Sequence, residues 1–201
     1  PEDRAIYMAP KVEDETWGGV FLTGPYAMES EIVYCSFEGG HGTGVLFQGG
    51  FVRHSYKSSE RYGGGLFIAN GGRELGKSVK LKHVTFKGNH ALHGGGLAVF
   101  NSSVSIEHSD FDGNSAEKNG GGLYANNATV DFGEGVSFQH NQAKKVGGGV
   151  VGMHSSDFKT SHAVRFDGNV ASLSVQNAFL FRTTLADRKH WPSDAFVKDT
   201  V

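Results

Sequence analysis

The residues of this 201-residue chain that could do chemistry are mostly histidines and carboxylates. His108, Asp110, Asp112, Asp131, His140, Asp157, Arg165 and Asp167 lie within sixty residues of one another, and His83 precedes them. Two histidines with an acid beside them make a metal or acid–base site. A carboxylate cluster with a neighbouring Arg or Lys would hold a divalent cation next to a base. The spacing argues against the second. Asp112 and Asp167 each follow a recurring Phe by one residue, but Gln139 takes that place in the unit between them. His83 and His108 both sit three residues before a recurring Phe, so they stack if those units are adjacent. His41, His90, His93 and His154 read as loop residues without ligand spacing. The favoured reading of the whole set is a solvated outer face, with no catalytic, cofactor or metal residue assigned. Cys35 is the only cysteine, so no disulfide forms within the chain. Beside an apolar strand it reads as a small core residue rather than a nucleophile.

The elements that carry these residues are set by a repeat of about 25–30 residues. One half of the unit is Phe-x-Gly/His-Asn: Phe86/Asn89, Phe111/Asn114, Phe138/Asn141 and Phe166/Asn169. The Phe spacings are 25, 27 and 28 residues. The other half is a glycine triplet running into an apolar strand, at 63–65, 94–96, 120–122 and 147–149. Weaker copies lie upstream. Phe37 lacks the Asn, Gly44-Val45-Leu46-Phe47 follows it, Tyr56 stands in for Phe, and Trp17-Gly18-Gly19-Val20 is a lone glycine half. Between the halves are short segments of period-two character. Three short strands per unit fit an all-β, right-handed, single-stranded parallel β-helix of about six coils. A lone coil cannot bury its apolar side, so neighbours above and below must do so. Equivalent residues then repeat at about 4.8 Å. Phe86, Phe111, Phe138 and Phe166 become an aromatic column, and Asn89, Asn114, Asn141 and Asn169 an amide ladder. The repeat domain spans 1–170 and is most regular over 84–169. A C-terminal cap and tail, 171–201, leaves the repeat, with Val175, Phe179, Phe181 and Leu185 as a last strand or amphipathic element. At the other end, 5–8 reads as a first strand and Glu13-Asp14-Glu15 as a loop.

Composition narrows the partners. Thirty glycines with only four prolines and no three-residue period exclude collagen. A net charge of -2 recommends neither nucleic acid nor an anionic membrane. No apolar run approaches the length of a membrane span. The chain begins with Pro1, which reads as a processed product or an excised piece. The glycine triplets are poor phosphate cradles, because no Lys-Ser/Thr follows them.

The Phe-x-x-Asn units and glycine-strand halves resemble the repeats of the chlamydial polymorphic outer-membrane proteins. The resemblance covers about three quarters of the chain. It departs at the third glycine (Gly65, Gly96, Gly122, Gly149), where that family usually carries Ala. It implies a β-helical surface passenger that acts in adhesion, at the cell surface or outside the cell.

The function read from the residues is therefore a structural or adhesive module that is non-catalytic. Its expected partners are other protein subunits or surface receptors, met through the coil ends and the 171–201 tail. Two alternatives are a scaffold subunit docked in a larger complex and a carbohydrate-active enzyme of pectate-lyase type. The sequons at Asn101 and Asn127 each fall five residues after a triplet, on one outer turn of consecutive coils, and are candidate glycan acceptors. The 71–82 insertion is a basic loop, with Arg73, Lys77, Lys80 and Lys82 as candidate contacts.

Overall fold

The computed structural model describes residues 6–8, 17–48, 51–54, 59–73, 77–173, 176–181, 184–185, 188–191, 193 and 195–198. One coil shows how the repeat becomes structure. After the triplet 94–96 come four short strands, Leu97–Phe100, Ser103–Glu107, Asp110–Asp112 and Ser115–Asn119. The faces they build are termed A, B, C and D in that order. Each corner turns on a residue of positive φ: Asn101 (44°), His108 (44°), Gly113 (62°) and Gly120 (68°). Short polar side chains and glycine tolerate that conformation best. The next coil lies on it in parallel register, with Leu97 beside Leu123, Val104 beside Val130, Phe111 beside Phe138 and Ser115 beside Gln142.

The molecule is thus a parallel β-helix, but its coils differ from the expected six of three strands. Four regular coils run from Leu66 to Asn177, with less regular turns on either side. Each carries four faces. Faces B and C share one strand only in Glu31–Glu38 and Val79–Lys87, which pass the corner unbroken at Tyr34 and His83. The coil number falls because Thr43–Gln48 starts no coil. It pairs antiparallel with Phe51–His54 and Arg61–Tyr62, as a hairpin inserted between Phe37 and the triplet 63–65. A hairpin strand and a coil strand have the same local pattern, so only the pairing partner tells them apart. Tyr56 lies outside the described residues, as do Ala5, Glu13, Asp14, Glu15 and Val175. Ile6–Met8 pairs in parallel with Cys35, Ser36 and Phe37. Beyond residue 170 the stack goes on: Ala178–Phe181 lies on Val150–Met153, Thr184–Leu185 beside Asp157 and Phe158, and Phe196–Lys198 beside Phe179–Phe181.

The core is a set of columns. Phe37, Phe86, Phe111, Phe138 and Phe166 stack with centroid spacings of 5.1, 4.7, 4.5 and 5.3 Å. Their inward direction is fixed by alternation along face C. The third glycine of each triplet packs against this column. A Cβ on Gly122 would lie 2.7 Å from the Phe138 ring, and one on Gly65 would lie 2.8 Å from Phe37 Cβ. The Ala of the resembled repeats has no room here.

Next to the rings runs the amide ladder. Asn89 Nδ2 donates to Asn114 Oδ1 (2.9 Å) and to the Phe37 carbonyl (2.8 Å), while its backbone N–H also reaches Asn114 Oδ1. The same bonds recur from Asn114 to Asn141 and from Asn141 to Asn169. Asn169 Nδ2 ends the run on Asn177 Oδ1 and the Phe138 carbonyl. Every amide is satisfied, as burial requires. Cys35 is buried in the core, and burial pushes its thiol pKa up. At the C-terminal end the Trp191 indole lies against Phe132, Phe158 and Phe166 and closes the Phe column.

Candidate functional site

Face B is where unneutralised charge and hydroxyls gather. Val79, Leu81, Val104, Ile106, Val130, Phe132 and Phe158 point into the core, so the residues between them point out. Lys80, Ser105, Asp131 and Lys159 form one outward row, in register across four coils. Ser103, Thr129 and Asp157 form a second row beside it.

Arg73 reaches across these rows from the segment that precedes Val79. Its Nε donates to Thr129 Oγ1 (3.2 Å), and its Nη1 to Asn127 Oδ1 (3.1 Å) and the Ser155 carbonyl (2.9 Å). Its Nη2 forms an ion pair with Asp157. One side chain therefore ties the insertion to two successive coils. Between the insertion and face B lies a groove of about 410 Å³, lined by Arg73, Lys77, Lys80, Ser105, Asp131 and Lys159 among others.

The balance of charge there is uneven. Arg73 and Asp157 neutralise each other, and Lys77 lies 3.8 Å from Glu29. Among the described residues, Lys80, Asp131 and Lys159 have no ion-pair partner. Two ammonium groups with hydroxyls and one carboxylate between them suit an acidic ligand that also carries hydroxyls.

The other singled-out residues scatter. Of the four expected contact residues, Arg73 and Lys77 precede the strand, whereas Lys80 and Lys82 lie within Val79–Lys87 and are strand residues, not loop residues. Lys82 is 3.7 Å from Glu107. Asn101 and Asn127 occupy the corner between faces A and B, with φ 44° and 47°, and Asn127 Nδ2 is 3.3 Å from Asn101 Oδ1. Asn127 is exposed and Asn101 half-buried. The rings of Tyr34, His83 and His108 stack in sequence at the corner between faces B and C, at 4.7 and 5.0 Å. Asp112 and Asp167 are separated by Gln139 in the register. His140 Nδ1 lies 3.0 Å from Asp112 Oδ1 on the outer surface. No group of three or more His, Cys, Asp or Glu among the described residues could hold a metal ion. His90 and His93 are strand residues in His90–His93, contrary to the loop expectation.

The sequence reading gives Ser103, Ser105, Thr129 and Lys159 no binding role. The signal was present, because Lys80, Ser105, Asp131 and Lys159 recur every 25, 26 and 28 residues, close to the 25, 27 and 28 of the Phe residues. It was masked by their being four different residue types.

A groove on one flank of a parallel β-helix defines the class of protein: a solenoid whose stacked strands present rows of side chains. The comparisons give the family. Residues 18–184 match the family described as the right handed beta helix region, and the chain belongs to it. The coils are therefore right-handed. No curated protein and no solved structure matches the chain.

Proposed function

We propose that this chain is an adhesive β-helix module that works by binding rather than turnover, outside the cell or at its surface. The observation that carries this reading is the face-B groove, where Lys80 and Lys159, which have no ion-pair partner among the described residues, lie beside Ser103, Ser105, Thr129 and Asp131. The ligand that fits is an acidic, hydroxyl-rich one, such as a uronate-bearing oligosaccharide on a partner surface. The ammonium groups take its carboxylates, and Asp131 and the hydroxyls take its hydroxyls. The resemblance to the polymorphic outer-membrane repeats favours the adhesive role. Arg73 supports the site by holding the insertion over it.

A second reading rests on one fact. Asp131, Asp157 and the lysines line the same groove, and these are the groups a polysaccharide lyase of pectate-lyase type employs. One titration separates the two. An oligouronate is expected to bind and to be recovered intact, whereas the neutral oligosaccharide of equal length does not bind. Lys80→Ala with Lys159→Ala is expected to weaken binding by about tenfold or more. Unchanged affinity in that double variant sinks the groove. A growing ultraviolet absorbance from unsaturated ends sinks the binding-only reading and favours the lyase.

A further inference from the structure

On the opposite flank, the inserted hairpin returns alongside face D and leaves a second cleft of about 710 Å³. Its walls are Ser59, Glu60 and Arg61 on the hairpin side, and the strands His90–His93 and Ser115–Asn119 on the other. His41 enters from the chain just before the hairpin. Six titratable or charged side chains meet there, His41, Glu60, Arg61, His90, Glu117 and Lys118. The His41 and His90 rings lie 5.5 Å apart between centroids. His90 is fixed at both nitrogens, with Nδ1 2.9 Å from Ser115 Oγ and Nε2 3.3 Å from Glu117 Oε1. Lys118 Nζ lies 3.9 Å from Glu60 Oε1, and the Tyr62 hydroxyl donates to Glu60 Oε2 at 3.4 Å. Arg61 is exposed at the rim.

We infer that this cleft is a binding site for a phosphate or sulfate ester, and that it fills when the surroundings are acidic. With both imidazoles neutral, Arg61 and Lys118 are balanced by Glu60 and Glu117. A multivalent anion then meets no net attraction. Protonation of His41 gives the cleft a net positive charge, within reach of a guanidinium that binds tetrahedral oxyanions in a two-pronged fashion. Burial, and then the neighbouring His90 and Arg61, hold the His41 pKa below its usual range. An anion in the cleft reverses that bias, so ligand and protons bind together. No feature of the face-B groove enters the argument, so either site can fail without the other.

The test is calorimetric titration of the intact chain with inorganic tripolyphosphate, and separately with a sulfated disaccharide, at pH 5.5 and 7.5. Binding is expected to be about tenfold tighter at pH 5.5. Net proton uptake should appear in buffers of different ionisation enthalpy. The double variant His41→Gln and His90→Gln should lose both the tightening and the uptake. Binding of one probe and not the other tells a phosphate from a sulfate ligand and supports the site. With the sulfated disaccharide, whose own charge is constant over this range, equal affinity at the two pH values overturns it, as does pH dependence that survives the histidine substitutions. An unchanged unfolding midpoint for the histidine variant shows that the loss is not one of folding.

Discussion

His93 shows what a single side chain gains from its neighbours. It is 8% exposed, with its ring stacked on Tyr62 at 5.1 Å and tilted against Tyr124 at 4.8 Å. Asn119 Nδ2 faces its Nδ1 at 3.3 Å. Burial, helped by Lys118 and Lys145, lowers its pKa from 6.5 to about 4. The folded protein therefore keeps this imidazole neutral where the unfolded chain protonates it. Stability from this site is complete above about pH 6.5 and is lost as the pH falls towards 4. The loss is about 2 kcal/mol by pH 5. Urea unfolding at pH 7 and pH 5 should show it, and His93→Phe should flatten the difference. A pH slope that is the same in His93→Phe would assign the effect elsewhere. The sequence presents His93 as a loop histidine, because the two tyrosines that flank it come from residues 62 and 124.

At the scale of elements, the corner after face C is held by hydrogen bonds that pass from coil to coil. Asn114 shows their weight. Its Oδ1 accepts from the backbone and side chain of Asn89, and its Nδ2 donates to Asn141 Oδ1 and the Phe86 carbonyl. Asn114→Ala leaves buried groups in both neighbouring coils without partners. The expected cost is about 3 kcal/mol, read as a lower urea midpoint. A change under about 0.5 kcal/mol would mean that water replaces the amide. The glycine before each Asn has a different task. Gly88, Gly113 and Gly168 take φ near 60°, and His140 fills that place in one coil at φ 52°. The middle glycine of a triplet is fixed by space, because a Cβ on Gly95 would fall against the carbonyl oxygens of Gly121 and Ser115.

For the whole molecule, the decisive question is how a stack of coils ends. A solenoid's terminal coil lacks a neighbour to bury its apolar side. Trp191 covers the last described ring of the Phe column, 6% exposed against Phe132, Phe158 and Phe166. Its Nε1 is buried and has no hydrogen-bond partner among the described residues. The indole therefore acts as an apolar plug, and its N–H is a cost. Trp191→Ala should destabilise by about 3–5 kcal/mol and expose the last Phe rings to a hydrophobic dye. Trp191→Phe should cost far less, since it removes the orphan donor while keeping most of the ring. Equal losses in the two variants would show that the N–H does have a partner.

The sequence by itself determined the stack. Phe-x-x-Asn at spacings of 25, 27 and 28 residues requires neighbouring coils to share one register. A ring every coil and an amide three residues on leave few other arrangements that bury both. The third glycine was legible only as a departure from the Ala of the resembled repeats, and its contact with the Phe column came from the packing. What only the tertiary structure decided lies between the repeats. The local pattern of Thr43–Gln48 fits either a coil or a hairpin, and the pairing with Phe51–His54 settles it. Arg73 meets Thr129, Asn127, Ser155 and Asp157 from more than fifty residues away. The face-B groove and the face-D cleft are likewise made by insertions that lie over regular faces. Insertions carry no period, so no repeat points to where they land. The repeat built the fold, and the interruptions of the repeat built the candidate sites.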